Sequence, residues 1–382
     1  MKGQKLVKFV GMKSKTILTK HKYRDNWFWC RYSINPYRGC QFACNYCDAI
    51  TEKYLVHEKV EDFSRIIYVK TNAPELLKKE VKKAKRDVVA LSGVTDSYQP
   101  AERKYGLTRR ILEILRDEGF PVLIGTKSDL VLRDVDILSE ISKKSWCAVF
   151  TTIITFNEKL LSPLEPFAPS PERRLEAMKK LNEAGVQAGV DFTPIIPYIL
   201  DDDENIEEVI KRAAEAGSKY ILPGAGMTLR SNQKVRFLEL LEENWPELIE
   251  KYGRLYLASG SPAGEYAVGI NRKTFELCRK FNIPNYISPP DFERPLKDNF
   301  DVANLLLLMA YFKEMRAGDP YAAWAYHRAA QNIEELEENI REIYKRNELK
   351  KIPAVGESLA KTIAEFLGTR KVEKLERMKV EW

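Results

Sequence analysis

The stretch Asn35–Cys47, NPYRGCQFACNYC, holds three of the chain's six cysteines, Cys40, Cys44 and Cys47, in one short loop. It directly follows Trp29–Ile34 (WCRYSI), which reads as a β-strand. In a reducing compartment cysteines are rarely tied into disulfides, so a tight cluster points to metal or to catalysis. Three thiolates at C-x3-C-x2-C spacing suit three corners of one [4Fe–4S] cube and leave one iron without a protein ligand, open to a small molecule. The competing reading is a structural zinc site with Cys30 as fourth ligand. Zinc ligands usually come as two short pairs, and this trio has no second pair.

Outward from that loop, strand-like and helix-like segments alternate. The strand candidates are Trp29–Ile34, Ile66–Val69, Val88–Leu91, Val122–Gly125, Cys147–Thr151, Ala188–Phe192 and Tyr220–Leu222. Amphipathic helical stretches such as Leu107–Glu118, Pro171–Ala184 and Glu204–Ala216 lie between them. Three of these end in Gly followed by a new apolar run: Asp117–Phe120 (DEGF), Glu183–Val186 (EAGV) and Glu215–Ser218 (EAGS). That Gly is a helix C-cap, and the repeated pattern spells βα units around a parallel sheet, closing into a full or partial barrel. The fold class is therefore α/β. Residues 1–27 read as a basic, poorly structured lead-in, 28–284 as the barrel, 285–298 as a proline-broken linker (NYISPPDFERP) and 299–382 as an all-helical domain. A boundary there implies separable parts: cutting near residue 298 would spare chemistry in the barrel. Trp27, Phe28 and Trp29 are read as core.

The chain has 62 Lys and Arg against 55 Asp and Glu, a net charge of +7. That favours an anionic partner without establishing one. No run reaches the ~18 apolar residues of a membrane span, and the basic start lacks the apolar core of a secretory signal. A cytoplasmic protein with no membrane association, and a monomer, is expected.

SINPYRGCQFACNYCDAI, SGVTDSYQPAERKYGLTRRILE, IGTKSDLVLRD and LEPFAPSPERRLEAMKKLNEAG follow one another in order. Together they resemble the spore photoproduct lyase-like branch of the radical SAM superfamily, over about residues 28–240. The resemblance implies a partial (βα)6 TIM-type barrel with a [4Fe–4S] cluster at its mouth, held by Cys40, Cys44 and Cys47. The open iron would chelate S-adenosylmethionine (SAM), whose reductive cleavage gives a 5′-deoxyadenosyl radical. A ferredoxin or flavodoxin would supply the electron. Tyr46 would lie beside the adenine. Ser92, Gly93 and Thr95 would stand at the SAM amino group, Lys127 and Ser128 near its carboxylate, and Thr152 and Thr155 at the ribose. Glu165 and Arg173 would pair with each other. Asp96, Tyr98, Gln99 and Glu102 would face substrate or hold a turn. The branch returns a hydrogen atom from a cysteine just after the second barrel strand. LSGVTD has none, so Cys30, Cys147 and Cys278, with Tyr98, are the substitute catalytic candidates.

In the last region, KKIPAVGESLAKTIAEFL (Lys350–Leu367) reads as helix, tight turn, helix. It resembles a helix-hairpin-helix DNA-binding motif within a domain similar to the N-terminal domain of family X DNA polymerases. Gly356 would give the turn its backbone freedom. The following helix N-terminus suits a phosphate oxygen, and Lys350, Lys351, Ser358, Lys361, Arg370 and Lys371 are the other contact candidates. The motif's usual Gly is replaced by Ala354, and Thr362 stands where a Schiff-base lysine is found. A binding module is therefore expected, not a second active site. The joint expectation is a radical enzyme acting on DNA, damaged or locally opened, in lesion repair. Alternatives are a radical enzyme modifying structured RNA such as tRNA, and a non-catalytic zinc-stabilised DNA-binding protein.

Overall fold

The structure, a computed structural model, describes residues 6–256, 258–317 and 323–382. Among them the strands are β1 (Lys8–Met12), β2 (Thr19–Lys20), β3 (Tyr32–Ile34), β4 (Tyr37–Arg38), β5 (Ile66–Lys70), β6 (Val89–Leu91), β7 (Val122–Thr126), β8 (Cys147–Thr152), β9 (Gln187–Ile195) and β10 (Ile221–Ala225). The main sheet runs β10-β9-β8-β7-β6-β3-β2. Its six strands from β10 to β3 are parallel, and β2 closes the β3 edge antiparallel. This is the expected α/β fold. The Ile66–Val69 segment stands apart, in a small β1-β5-β4 sheet beside the cysteine loop.

Helices α1 (Ala73–Glu80), α2 (Ala101–Tyr105), α3 (Leu107–Asp117), α4 (Val135–Lys144), α5 (Glu158–Leu164), α6 (Pro171–Glu183) and α7 (Asp203–Glu215) fill the crossovers. Their ends follow local chemistry. Ser170 caps α6 ahead of Pro171, and Asp202 caps α7 through the Asn205 amide. Gly119, Gly185 and Gly217 adopt left-handed φ of 70°, 80° and 78°. The following amides of Phe120, Val186 and Ser218 reach back to Leu115, Leu181 and Ala213 carbonyls at 2.9–3.0 Å, the helix-ending motif that the three glycines predict. After β10 come α8 (Ser231–Asn244), α9 (Ile249–Leu255) and α10 (Gly264–Lys280). They are followed by the C-terminal set α11 (Lys297–Ala317), α12 (Trp324–Glu334), α13 (Ile340–Lys345), α14 (Glu357–Thr369) and α15 (Glu373–Val380).

Alternation along the strands separates two cores. Val89, Leu91, Val122, Ile124, Cys147 and Val149 point outward to α3, α4 and α6. Val88, Ala90, Leu123, Ala148, Tyr220 and Leu222 point inward, and they share one continuous core with α11 and α12. These inward residues lie at the starts of their strands, so the C-terminal helices plug the barrel from its N-terminal end. Every residue of α11 from Val302 to Phe312 is buried, as a helix enclosed on all sides requires.

Two sequence expectations change here. Residues 285–298 are irregular but not a tether. The Trp29 indole donates to the Ile287 carbonyl at 3.1 Å, Asn304 donates to Pro290 at 3.0 Å, and Phe292 packs on Phe300. The lead-in is ordered as well: β1 pairs in parallel with β5, and the Ile17 and Leu18 amides donate to the Glu80 carboxylate. Its few apolar residues hid this, because pairing and capping, not local propensity, hold it in place.

In the hairpin, Gly356 has an ordinary extended conformation, φ −79°, and a Cβ there would meet nothing. The left-handed residue is Ala354, at φ 65°. An L-residue there costs ~1–2 kcal/mol, while Gly adds ~0.4–1 kcal/mol of unfolded-state entropy. Ala354→Gly is therefore expected to stabilise the protein by about 0.5–1 kcal/mol, read as a higher urea midpoint at unchanged slope.

Candidate active site

The cysteine loop leaves β4 at Gly39, whose φ is 84°. A Cβ there would lie 2.6 Å from the Phe63 carbonyl oxygen and 2.8 Å from that of Ile66, so only glycine fits. The Cys40 amide donates to the Phe63 carbonyl at 2.9 Å. The other side of the loop is strapped by α5 and α8. The Asn45 amide donates to Leu164, Gln233 donates to the Tyr46 carbonyl at 3.1 Å, and Arg236 donates to Asn45 at 2.8 Å.

The three sulfurs suit the group that the spacing implies. The Phe42 amide donates to the Cys40 sulfur and the Ala49 amide to that of Cys47. Burial pushes all three thiols up, Cys44 to about 12, so an electropositive group must be bound for them to act as thiolates. Among the described residues no three His, Cys, Asp or Glu side chains converge to hold a single metal ion. A cube anchored through three of its irons takes three thiols from one short loop, which is how Cys40, Cys44 and Cys47 are arranged. The zinc reading also loses its fourth ligand. Cys30 precedes β3 and packs into the core at the opposite end of the barrel.

Behind the loop lies a buried charge network. The Tyr46 hydroxyl donates to Glu165, and Arg174 pairs with Glu165 at 2.5 Å, both side chains fully buried. Lys127 lies 4.0 Å from Glu165 and over the Tyr46 ring at 5.5 Å. Burial opposes the Glu165 charge, but Arg174 and Lys127 hold its carboxyl below the usual range. Burial likewise opposes the Lys127 charge, but Cys44 and Glu165 hold its ammonium above its usual range. The expected Glu165–Arg173 pair is corrected: Arg173 faces out and pairs with Asp129 at 2.6 Å.

Most of the other predicted SAM contacts are occupied within the protein. The Thr95 hydroxyl donates to the Gly39 carbonyl at 2.6 Å, and Gln99 donates to both groups. Ser92 exchanges hydrogen bonds with Ser97, and the Gly93 amide donates to Asn35. Asp96 accepts from Thr126 and from the Tyr98 and Lys127 amides, all at 2.8 Å. These bonds fasten the cysteine loop to the ends of β6 and β7. Ser128 caps the turn at Leu130, and Thr155 accepts from the Asn157 amide. Ser128 also has the wrong parity: Lys127 continues the inward set of Leu123 and Gly125, and its neighbour faces α6. Glu102 is buried with Tyr37, Thr108 and Arg133.

The four catalytic candidates are not at the mouth. Cys147 begins β8 and Cys278 lies in α10, both 2 % exposed. Burial pushes the Cys147 thiol up to about 12 and those of Cys30 and Cys278 higher still. These are small core residues. Tyr98 is wholly buried and donates to Asp134 at 3.1 Å. In the C-terminal region, Lys350, Lys351, Ser358, Lys361 and Lys371 are exposed around the hairpin, beside Gly356. Three of the cations are not free: Lys351 pairs with Glu348 at 2.5 Å, Lys361 with Glu357 at 3.3 Å, and Arg370 with Asp298 at 2.6 Å and Asp301 at 3.2 Å.

Sequence reasoning missed one inward group. Asp191, midway along β9, accepts from the Thr152 hydroxyl at 3.4 Å, and its other oxygen, Oδ1, has no partner among the described residues. Burial raises its carboxyl to about 6. The signal was a lone acid in the apolar run VDFTP.

The comparisons agree with this geometry. Residues 34–213 match the family model of the radical SAM superfamily, and residues 297–372 match a helix-hairpin-helix domain. An uncharacterised protein of Mycobacterium tuberculosis is 30 % identical over 271 residues, covering 70 % of this chain and 79 % of its own. One from Methanocaldococcus jannaschii is 36 % identical over 221 residues, 58 % of this chain and 78 % of its own. Among solved structures, spore photoproduct lyase complexed with dinucleoside spore photoproduct superposes with a TM-score of 0.54 at 16 % identity, over 72 % of this chain and 79 % of that one. A mutant of that lyase with bound AdoMet and dinucleoside spore photoproduct gives 0.55 at 15 % identity, over 71 % and 78 %. At these identities the likeness is one of fold. With the cysteine loop at the mouth of six parallel strands, the chain is an enzyme that belongs to the radical SAM superfamily, and its cofactors are a [4Fe–4S] cluster and S-adenosylmethionine.

Proposed function

We propose that the enzyme acts on DNA, in repair of a lesion, with Cys40, Cys44 and Cys47 as cluster ligands. The observation that carries this reading is the shared core: the hairpin domain is built into the base of the barrel and is no loose appendage. When bound, the two cofactors supply a 5′-deoxyadenosyl radical that abstracts hydrogen from the substrate. The chain's own residues prepare the barrel for it. Lys127 presents a cation held by Glu165 on the cysteine-loop side, suited to a carboxylate. Tyr46 is locked by Glu165 and offers its ring, not its hydroxyl. Thr152 and Asp191 form the polar far wall. Below them, Phe150 and Tyr220 lie against Gly125 and Gly189 and seal the floor with apolar surface.

The hairpin grips phosphates without reading sequence, so it positions and does not specify. A base must leave the stack to enter a barrel, which is easiest where it is damaged or unpaired. No thiol beyond the three of the loop stands at the mouth, since Cys30, Cys147 and Cys278 are core residues. Hydrogen return from a barrel cysteine is therefore not part of the proposal. Competition among intact duplex, lesion-bearing duplex and tRNA for the reduced, SAM-loaded enzyme tests the reading. Lesion-bearing duplex is expected to bind tightest and to acquire label from deuterated SAM; preference for tRNA would overturn it.

A further inference from the structure

The hairpin sits at the base of the barrel and the cysteine loop at its mouth, so a duplex that serves both needs a path between them. We propose that the N-terminal segment and α1 form that path, a track for the phosphate backbone of duplex DNA along one side of the barrel. The inference rests on the DNA reading above.

The track is a set of ten exposed cations: Lys13, Lys15, Lys20 and Lys22 on the N-terminal segment, and Lys78, Lys79, Lys82, Lys83, Lys85 and Arg86 on and just after α1. Three contacts make the two stretches one surface. Ser14 and Asn72 exchange hydrogen bonds at 2.9 Å where α1 begins. The Ile17 and Leu18 amides bind the Glu80 carboxylate where α1 ends. Lys20 is paired with Tyr32 across β2 and β3, and the Tyr32 hydroxyl donates to the Lys85 carbonyl.

The direction follows from the same contacts. Lys13 follows β1, beside the sheet that carries the cysteine loop. Lys22 lies at the base, where its carbonyl accepts from Arg31, which in turn reaches Gln331 and Glu334 of α12. Tyr23 then packs edge-on against Trp324 at 5.0 Å. The segment thus descends the full height of the barrel, from mouth to hairpin domain.

The charges there are unspent. Of the two acids of α1, Glu80 is occupied by backbone amides, and Glu75, exposed in the first turn, forms no salt bridge among the described residues; Asp87 is buried against Arg31 and Arg294. Among the described residues none of the ten cations forms a salt bridge. Lysines on other helices do, as in Lys180–Glu176, Lys211–Glu215, Lys280–Glu207 and Lys345–Glu342. A dense line of unpaired cations repels itself, and a polyanion relieves that repulsion while releasing its own counterions.

The test uses the full chain with Lys78, Lys79, Lys82 and Lys83 all changed to Gln. Surface changes of this kind shift stability little, and melting temperature and iron content check that. A fluorescent duplex long enough to span both ends is titrated across salt concentrations. The slope of log K against log salt is expected to fall by about 0.9 for each lost contact, so by about 3 to 4 units, with affinity down ~10- to 100-fold at moderate salt. A Lys350→Gln/Lys361→Gln variant serves as the separate probe of the hairpin. Unchanged affinity and slope in the fourfold variant, with weakened binding in the hairpin variant, would overturn the track while leaving the DNA reading intact. Failure of the wild-type protein to bind duplex at all would overturn the DNA reading itself. Unchanged DNA binding with slower reduction by flavodoxin would reassign the surface to an acidic electron donor and also overturn the track.

Discussion

A chain ended at residue 296 is expected not to fold, and SAM cleavage is lost along with nucleic-acid binding. Helix α11 buries ten large side chains, among them Phe300, Leu305 to Leu308, Tyr311 and Phe312. At ~1.5–3 kcal/mol for each large apolar side chain, even half of that sum matches the whole net stability of a typical protein, ~5–15 kcal/mol. The truncated barrel would also expose Leu123, Ala148 and Leu222 at its open base. The measurement is a thermal melt by circular dichroism together with iron content: no cooperative transition and no bound iron are expected. A shortened protein that melts cooperatively and retains its cluster would show that the barrel closes without the plug. The sequence-based expectation of separable parts is thereby reversed. The proline-broken stretch Asn285–Pro295 looked like a tether because prolines interrupt regular structure, and sequence does not reveal that such a stretch is buried.

Arg174→Met is expected to destabilise the protein by about 3–5 kcal/mol, because it leaves the Glu165 carboxylate buried without its partner. Arg173→Met, one residue earlier, is expected to change stability by under ~1 kcal/mol, since its pair with Asp129 is exposed. Urea denaturation of the two variants decides between them; equal effects would mean that the buried pair is not holding the loop. Acid acts on the same group. The Glu165 carboxyl titrates below its unfolded value of about 4.3. Its contribution is therefore full above pH ~4.3 and fades as the pH falls through the depressed folded value.

The elements that sequence revealed are those whose cause is local. Gly119, Gly185 and Gly217 announce helix ends because only glycine takes those angles cheaply. The cysteine spacing points to a cluster because all three thiols leave one loop. The roles of Thr95, Ser128 and Thr155 were not legible, since a hydroxyl suited to a ligand serves equally well to cap a turn, and only the fold decides which. Arg174 and Arg173 are indistinguishable in the string PERR until the helix face is known. The N-terminal lysines read as a lead-in because β1 and β2 owe their form to partners far along the chain.

The orphan oxygen of Asp191 has a thermodynamic consequence. A guest that donates to Oδ1 favours the ionised carboxyl, so filling the barrel draws this group's titration downward from about 6. Below neutrality, association then expels a fraction of a proton into the buffer. The heat measured on mixing comes to depend on which buffer receives it, an imprint of the interior that would vanish with asparagine in its place.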